Sequence, residues 1–388
     1  MTKQTRSIIL LICLLLFFTI TPWLIFYSLG YRVDLKNQCI IATGGIYVRA
    51  EQPGTEVIVD SRFGEKSSFF SNSVFMQNLT PEIHNILVKK EGYYSYQKDI
   101  LVKEKEVAKI ENITLFKNNI NWEVLDKNQT NNIFPQENDI RFSLKSEDLY
   151  FSNASTNTKA PITQKAKIIL KKVVSYKVSD NNIIWLSSDG NLNKSDFSGK
   201  NNEILTSTPI LIDKKTSYKI FVNNFGIFIL KNNDLLLLNP QTNSFDFFMA
   251  NINDLKVSPD NQNIFYATNN EIWLNHSNYE YNLNKPQNTD KILLNKFYEN
   301  ISDIFWLNNN YLIIRAYDPS TGSGQVKISE IDNRGNINIV DLPLPAKNAS
   351  GEKFSLDSKS QITFNLQDKK LYILTSDGLL LSSDKLLP

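Results

Sequence analysis

Cysteine and histidine are scarce in this sequence: the chain has two of each, far apart. Their wide separation, without the close Cys–Cys and His–His spacings of zinc sites, argues against a zinc site made of Cys and His ligands, and two cysteines are too few for a scaffold held by disulfides. An excess of one charge is also missing. There are 42 Lys and Arg against 40 Asp and Glu, and Lys3 and Arg6 account for the surplus. A neutral body lacks the basic surplus that phosphate binding needs, which argues against nucleic acid as the main ligand.

The common motifs of catalytic chemistry are absent as well. No G-x-S-x-G nucleophile motif occurs, and Gly322-Ser323-Gly324 lacks the lysine and the following helix of a phosphate loop. We expect Asp318–Gly324 to form a hairpin tip. Only His84 and His276 could serve a catalytic triad, and we expect both in turns, His84 at the surface. We therefore predict no catalytic, cofactor-binding or metal-binding residues, and no cofactor.

One segment has the spacing of a calcium-binding loop. Positions 1, 3, 5 and 12 of an EF-hand pattern are occupied by Asp126, Asn128, Thr130 and Glu137. The sixth-position glycine is replaced by asparagine, a proline intrudes, and only two carboxylates would bind, so calcium affinity should be poor. We interpret the segment as an ordinary linker.

What the sequence does contain is a long apolar run near its start. Residues 8–29 are uncharged and would span roughly 33 Å as a helix, enough to cross a hydrocarbon core about 30 Å thick. Aromatic residues cluster at the far end of the run, where such side chains settle at the headgroup level. With Lys3 and Arg6 before the run, the positive-inside rule predicts a cytoplasmic tail at 1–7 and an extracytoplasmic body.

A cleaved signal peptide is the competing interpretation of the apolar run. Secretory apolar regions are usually about 7–15 residues long and precede an A-x-A-like site. Here the run is longer, and Ser28-x-Gly30 is the small pair near its end. We therefore favour a single-pass anchor over residues 8–29, and leave cleavage after Gly30 open.

Residues 40–117 have the pattern of a small β-domain, with β-branched runs separated by Pro and Gly turns. The pattern predicts an antiparallel sandwich. Three motifs in order resemble the PEGA domain: Pro53-Gly54-Thr55 with the strand Val57–Asp60, the turn Asn78–Pro81, and Val88–Tyr93. The resemblance implies a bacterial or archaeal surface module without catalysis, with S-layer or cell-wall association. Tyr93, Tyr94 and Tyr96 are read as packed strand residues, with sugar or partner binding as the alternative.

Residues 118–388 show short strands separated by Asn, Asp, Ser and Gly turns. Asparagine, which occurs 47 times in a chain with 14 glycines, tolerates the turn conformations that glycine otherwise supplies. A weak unit recurs at an average interval of about 44 residues, typical of a β-propeller blade. Its aligned centres are Tyr150, Trp185, Phe228, Phe265, Leu312 and Tyr372.

These repeats predict a propeller of about six blades over 118–388. Val257-Ser258-Pro259-Asp260 resembles the S-P-D-G turn of WD40-like and TolB-like propellers. We expect Trp122 and Val124 to supply a strand that closes the ring beside the last blade. Two tandem sandwiches are the alternative fold.

The fold class expected is thus all-β: an N-terminal transmembrane helix, a PEGA-like sandwich and a propeller. We expect a non-enzymatic binding or scaffold protein of the cell envelope, whose partners are the membrane and a cell-wall, S-layer or protein ligand. A propeller hydrolase or lyase acting on envelope glycans is the alternative. A signalling receptor is disfavoured because the tail of roughly seven residues is too short for an output domain.

Overall fold

A computed structural model gives the architecture of the chain. It describes residues 3–34, 39–61, 63–66, 72–134, 141–152, 166–179, 181–276, 291–345, 354, 356–357 and 359–388. One long helix is followed by short strands and one further helical turn. Apart from the N-terminal helix and this short helical segment, the described residues form an all-β fold, as the sequence predicts.

Helix α1 runs from Lys3 to Ser28, and its apolar side chains are exposed along its length. Its segment Gln4–Ser28 is long and apolar enough to cross a membrane, with a mean hydropathy of 2.8, a test that a signal sequence also passes. Pro22 lies inside the helix without ending it. Transmembrane helices tolerate proline at such interior positions.

A hairpin joins the helix to the body. It consists of β1 (Tyr31–Asp34) and β2 (Cys39–Ala42). The guanidinium of Arg32 lies 3.6 Å from the ring centre of Tyr27 and also donates to the Tyr27 carbonyl at 2.7 Å. Thr43 donates from its backbone N–H to the carbonyl of Gly30 at 2.8 Å. The helix end is therefore held against the first strand of the body.

Two sheets then form a small sandwich, in the strand orders β6-β3-β9 and β5-β4-β7-β8. The strands are β3 (Gly44–Ala50), β4 (Glu56–Val59), β5 (Phe63–Lys66), β6 (Ser73–Leu79), β7 (Ile83–Lys89), β8 (Tyr96–Leu101) and β9 (Val107–Ile113). Alternating apolar residues of the two sheets, such as Ile46, Val57, Ile86 and Ile110, share one core. The expected pairing was wrong at one place. β3 and β9 run parallel, because the chain crosses to the other sheet between them.

Six more sheets follow within the described part of residues 118–388, and they have the topology of propeller blades. Before the first blade come β10 (Trp122–Leu125), a 3-10 turn at Lys127–Gln129 and α2 (Thr130–Ile133). Blade 1 contains β11 (Phe142–Lys145), β12 (Asp148–Phe151) and β13 (Lys167–Leu170). Blade 2 contains β14 (Val173–Ser179), β15 (Asn182–Ser187), β16 (Leu192–Asp196) and β17 (Glu203–Ile204). Blade 3 contains β18 (Tyr218–Asn223), β19 (Gly226–Lys231), β20 (Asp234–Asn239) and β21 (Ser244–Met249).

The remaining strands complete the set. Blade 4 contains β22 (Asp254–Val257), β23 (Asn263–Ala267), β24 (Glu271–His276) and β25 (Ile292–Lys296). Blade 5 contains β26 (Asn300–Trp306), β27 (Tyr311–Tyr317), β28 (Gly324–Glu330) and β29 (Ile339–Asp341). Blade 6 contains β30 (Gln361–Asn365), β31 (Lys370–Leu374) and β32 (Leu380–Ser383). Its fourth strand is β10, which pairs with β32 from Trp122↔Ser383 to Leu125↔Leu380. The predicted closing strand is thus confirmed.

Apolar clusters shared by neighbouring blades hold the sheets together. One cluster joins Phe228 of blade 3 to Tyr266 of blade 4, and another joins Phe265 of blade 4 to Leu312 of blade 5. The indole of Trp306 in blade 5 also donates to the carbonyl of Lys256 in blade 4 at 3.0 Å. Such clusters join each pair of successive blades from blade 1 to blade 6, an arrangement that two separate sandwiches would lack.

Asparagine takes left-handed backbone conformations at many turns, as expected from its abundance. Among the described residues, eight asparagines have positive φ: Asn72, Asn78, Asn112, Asn201, Asn232, Asn243, Asn251 and Asn261. Asn261 ends the turn between β22 and β23 with φ +59°, at the position where the S-P-D-G pattern has glycine. Asparagine is the non-glycine residue best suited to this conformation.

Candidate binding surfaces

The sandwich is fixed to blade 5 by a buried ionic cluster. Lys98 of β8 and Glu330 of β28 have side chains that are 0% and 4% exposed, and they form a salt bridge of 2.5 Å. The ammonium of Lys98 also donates to the carbonyls of Asp332 at 2.8 Å and Asn336 at 3.2 Å. All three ammonium donors are satisfied, which is the condition for burying such a charge at tolerable cost.

The other oxygens around this cluster are occupied as well. Tyr96 donates its hydroxyl to Glu330 Oε2 at 3.0 Å, and the Asn338 backbone N–H donates to Glu330 Oε1 at 2.9 Å. Burial, together with the charge of Glu330, raises the pKa of Tyr96 above its ordinary value. Burial opposes ionisation of Asp332, yet the pKa of that carboxyl is lowered because Arg334 donates to it and Lys98 lies nearby. The cluster is thus a complete hydrogen-bonded network.

The loop between β28 and β29 covers the free edge of β8. Asn338 Oδ1 accepts from the backbone N–H of Gln97 at 2.9 Å, and Asn336 Oδ1 accepts from that of Asp99 at 2.8 Å. Both asparagines also donate to the Gln97 carbonyl at 2.8 Å. These amide side chains take the place of a neighbouring strand, so the edge is unavailable for pairing with another chain.

The tyrosines near the Gly92 turn are packing residues of this junction. Tyr93 packs on the sandwich core, and Tyr94 packs on the core shared by blades 5 and 6. Tyr96 is buried in the ionic cluster. Farther along, Phe116 contacts the ring of Tyr311 edge-on at 5.3 Å, and the Tyr311 hydroxyl accepts from the Thr114 backbone N–H.

The sequence analysis missed Lys98 and Glu330. One signal was present, because Tyr96, Lys98 and Ile100 share the inward face of an alternating strand, where an unpaired lysine is not expected. The partner could not have been identified, since Glu330 lies 232 residues later.

Antiparallel blades place their turns at two opposite ends. We call near face the end that carries the turns after the first and third strands, such as 307–310 and 331–338. We call far face the end that carries the turns after the second strands and the links between blades, such as 268–270 and 297–299. The described sandwich contacts involve the near face of blades 5 and 6, including an ion pair of 3.0 Å between Lys117 and Asp384.

A cleft of about 440 Å³ remains between the sandwich and the near face. Its polar lining includes Arg49, Glu51, Asn112, Asn308 and Lys369. It is open to solvent and lies beside the junction.

The far face carries polar side chains that link successive blades. Asn233 donates to Asn253 Oδ1 at 2.8 Å, and Asn253 donates to Asn269 Oδ1 at 2.7 Å. Near this row, Tyr298 is 77% exposed on the link between blades 4 and 5. Leu211, on the link between blades 2 and 3, is also highly exposed. Links that expose apolar and amide groups are suited to binding a partner.

The two histidines have different surroundings. The expectation that His84 lies in a surface turn was wrong. It is buried on β7, because it shares the alternation that directs Ile86 and Val88 inward. Its Nδ1 lies 2.6 Å from Asp60 Oδ2, and its Nε2 lies 2.8 Å from the Thr80 carbonyl. His276 is the exposed last residue of β24, where it contacts Asn263.

The segment with calcium-like spacing forms a 3-10 turn and one helical turn, in which Asp126 accepts from the Asn128 backbone N–H at 2.9 Å. Glu137 lies outside the described residues. Within the described ranges, no group of three or more His, Cys, Asp or Glu side chains could hold a metal ion.

Asp318–Gly324 forms the predicted hairpin tip between β27 and β28, where Asp318 accepts from the backbone N–H of Ser320.

No family model and no curated protein matches the sequence. Among solved structures, YCF48 from Cyanidioschyzon merolae aligns over 78% of this chain and 91% of its own, at 12% identity and a TM-score of 0.38. Hydrazine synthase from Kuenenia stuttgartiensis aligns over 60% of this chain and 68% of its own, at 12% identity and a TM-score of 0.36. PorZ, a surface component of the type-IX secretion system of Porphyromonas gingivalis, aligns over 60% of this chain and 31% of its own, at 14% identity and a TM-score of 0.28.

The propeller in this chain is therefore recognised from its own strand pairing. The PEGA resemblance of residues 40–117 stays a prediction.

Proposed function

We propose that this chain is a membrane-anchored, non-enzymatic binding protein of the cell envelope. In this proposal α1 is an uncleaved single-pass anchor with the N-terminus in the cytoplasm. The sandwich is a PEGA-like spacer, and the propeller offers its far face to an envelope polymer or a protein.

The observation that carries the proposal is the order of contacts along the molecule. The helix end contacts the start of β3 through Gly30 and Thr43. At the other end of the sandwich, Thr114, just after β9, contacts the near face through Tyr311. The described sandwich contacts lie on the near face, so the sandwich leaves the far face uncovered. In this proposal the far face is therefore the one that a partner could reach.

The fixed junction supports a presenting role. The junction combines the buried pair of Lys98 and Glu330 with hydrogen bonds from the β28–β29 loop to β8 and with the packing of Phe116 on Tyr311, and separating the sandwich from the propeller would break all of these contacts. In this proposal they hold the propeller at a set orientation to the spacer.

Topology is tested first. Protease added to intact cells should digest the body, and the helix should remain with the membrane after alkaline carbonate washing. A body that is digested only after cell lysis would overturn the proposal, as would release of the whole chain into the medium.

Binding is tested by pull-down from envelope fractions with the full chain in detergent. Wild type should retain an envelope component that the far-face variant Leu211→Ser/Tyr298→Ala loses. The matched control is Leu366→Ser, because Leu366 is an exposed apolar residue on a near-face turn, and this variant should bind as wild type does. If wild type retains no component, or if all three proteins bind alike, the far face is not the binding surface.

A further inference from the structure

The end of the sandwich next to the helix carries exposed apolar side chains with no role in its core. On the hairpin, Val33 and Ile40 face each other across the strand pair and are both exposed. On the sheet β5-β4-β7-β8, Ile83 and Leu101 form another directly opposed pair, 67% and 56% exposed. Val107 at the start of β9 is exposed too. We call these five residues the helix-proximal apolar set.

Contacts within the sandwich place this set beside the helix end. Thr43 bonds to Gly30, and the next residue, Gly44, approaches so closely that an added Cβ would lie 2.4 Å from the Lys103 carbonyl. Lys103 follows Leu101 by two residues. The following residue, Gly45, pairs with Val107 across the parallel strands β3 and β9. The set therefore lies at the level of the last turn of α1.

The hairpin is also turned toward the helix. Tyr31 shares a strand face with Val33 and Ile40, by the alternation of side chains along a strand. The ring of Tyr31 contacts Phe26 of the helix edge-on at 5.7 Å. The same face therefore looks toward the space around the helix end.

We propose that the helix-proximal apolar set enters the headgroup layer of the bilayer, so that the sandwich rests on the membrane instead of standing off it. This inference rests on the proposed anchoring of α1. The helix of Gln4–Ser28 spans roughly 37 Å, longer than a hydrocarbon core of about 30 Å, so its last turn reaches the interface where the set lies. Burial of exposed apolar area supplies the driving force.

Charge has little part in this contact. The described segments that carry the set include three basic residues, Arg32, Lys103 and Lys105, and four acidic ones, Asp34, Glu82, Glu104 and Glu106. Because there is no basic excess, the contact should form on neutral lipid and should not need anionic headgroups.

The test uses the full chain with Cys13→Ala and Cys39→Ser, reconstituted in phosphatidylcholine vesicles. A bimane label is placed at Leu101→Cys, and at Leu366→Cys as an exposed apolar control on the propeller. Doxyl-labelled lipid should quench the label at 101 several-fold more than the label at 366. Aqueous iodide should show the reverse preference, and replacing part of the lipid with phosphatidylglycerol should change neither.

Each other outcome overturns the inference. A label at 101 that is open to iodide means that the sandwich stands off the bilayer. A label shielded from both quenchers means that a second chain or another protein covers the set. Quenching that requires anionic lipid means that charge drives the contact. Flotation of the vesicles tests the anchor separately: protein that fails to float refutes the proposed function, whereas floating protein with an iodide-accessible label refutes only this inference.

Discussion

At the residue scale, the junction contains a glycine, Gly335, that no other residue can replace without displacing the backbone of β8 or of the loop itself. Gly335 has φ +65°, and a Cβ added there would lie 2.0 Å from the Asp99 carbonyl oxygen. Gly322 has a similar φ of +70°, yet a Cβ there would meet nothing within 4 Å. The two positions share the backbone preference for glycine and differ in the space beside it.

Alanine at these two positions should therefore separate strain from collision. We expect Gly322→Ala to cost about 1–2 kcal/mol, the usual penalty for a left-handed non-glycine residue. Gly335→Ala should cost clearly more, because the loop must also move away from β8. Urea unfolding of the full chain in detergent measures both. Equal losses would mean that the loop does not hold the sandwich.

The buried lysine offers a second test at this scale. Lys98→Met should lower stability by about 3–5 kcal/mol, because it leaves Glu330 charged and buried without its partner. Lys98→Met/Glu330→Leu removes both charges and should recover much of that loss in the same measurement. If the double variant is as unstable as the single one, packing and not charge pairing dominates at this site.

At the element scale, much of the propeller follows from the sequence. The six predicted repeat centres all lie on the second strands of successive blades, from Tyr150 on β12 to Tyr372 on β31. This agreement arises because the second strand is covered on both faces and so has the most continuous apolar run. The closing strand was also predicted, from Trp122 and Val124. The parallel pairing of β3 with β9 was not, because pairing partners depend on contacts distant in sequence.

Closure by β10 leads to a prediction about cooperativity. Deleting 380–388 removes β32, which lies between β31 and β10. The ring should then open, so limited proteolysis should cut near Leu125 and the thermal transition should be broader than that of the full chain. Val124→Thr is the control, since Val124 is exposed in the same strand and should leave both properties unchanged. An undiminished transition in the deleted chain would show that β10 does not close the ring.

At the scale of the whole molecule, we expect several buried phenols to make the stability of the protein sensitive to alkali. Burial raises the pKa of Tyr96, Tyr266 and Tyr311, and burial with the neighbouring Asp368 raises that of Tyr372 to about 12. An unfolded tyrosine ionises near pH 10. The native state therefore keeps protons that the unfolded state releases above that pH, so the stabilisation is complete below about pH 10 and declines as the pH rises toward 12.

Thermal unfolding measured between about pH 8 and 11 should show this decline in the melting temperature. Tyr96→Phe should melt lower than wild type at neutral pH, because Glu330 loses a hydrogen bond. Its further decline above about pH 10 should be shallower, because one titrating phenol is gone. A melting temperature independent of pH across this range would contradict the expectation.

The pairing of β10 with β32 also has a consequence for synthesis. The ribosome makes β10 before the six described blades, and it makes β32, the strand with which β10 pairs, after the other described strands. Until then β10 has no neighbour in its final sheet, and blade 6 is incomplete. A chain whose synthesis stops before β32 is therefore left with an unsealed ring and with β10 unpaired in that sheet.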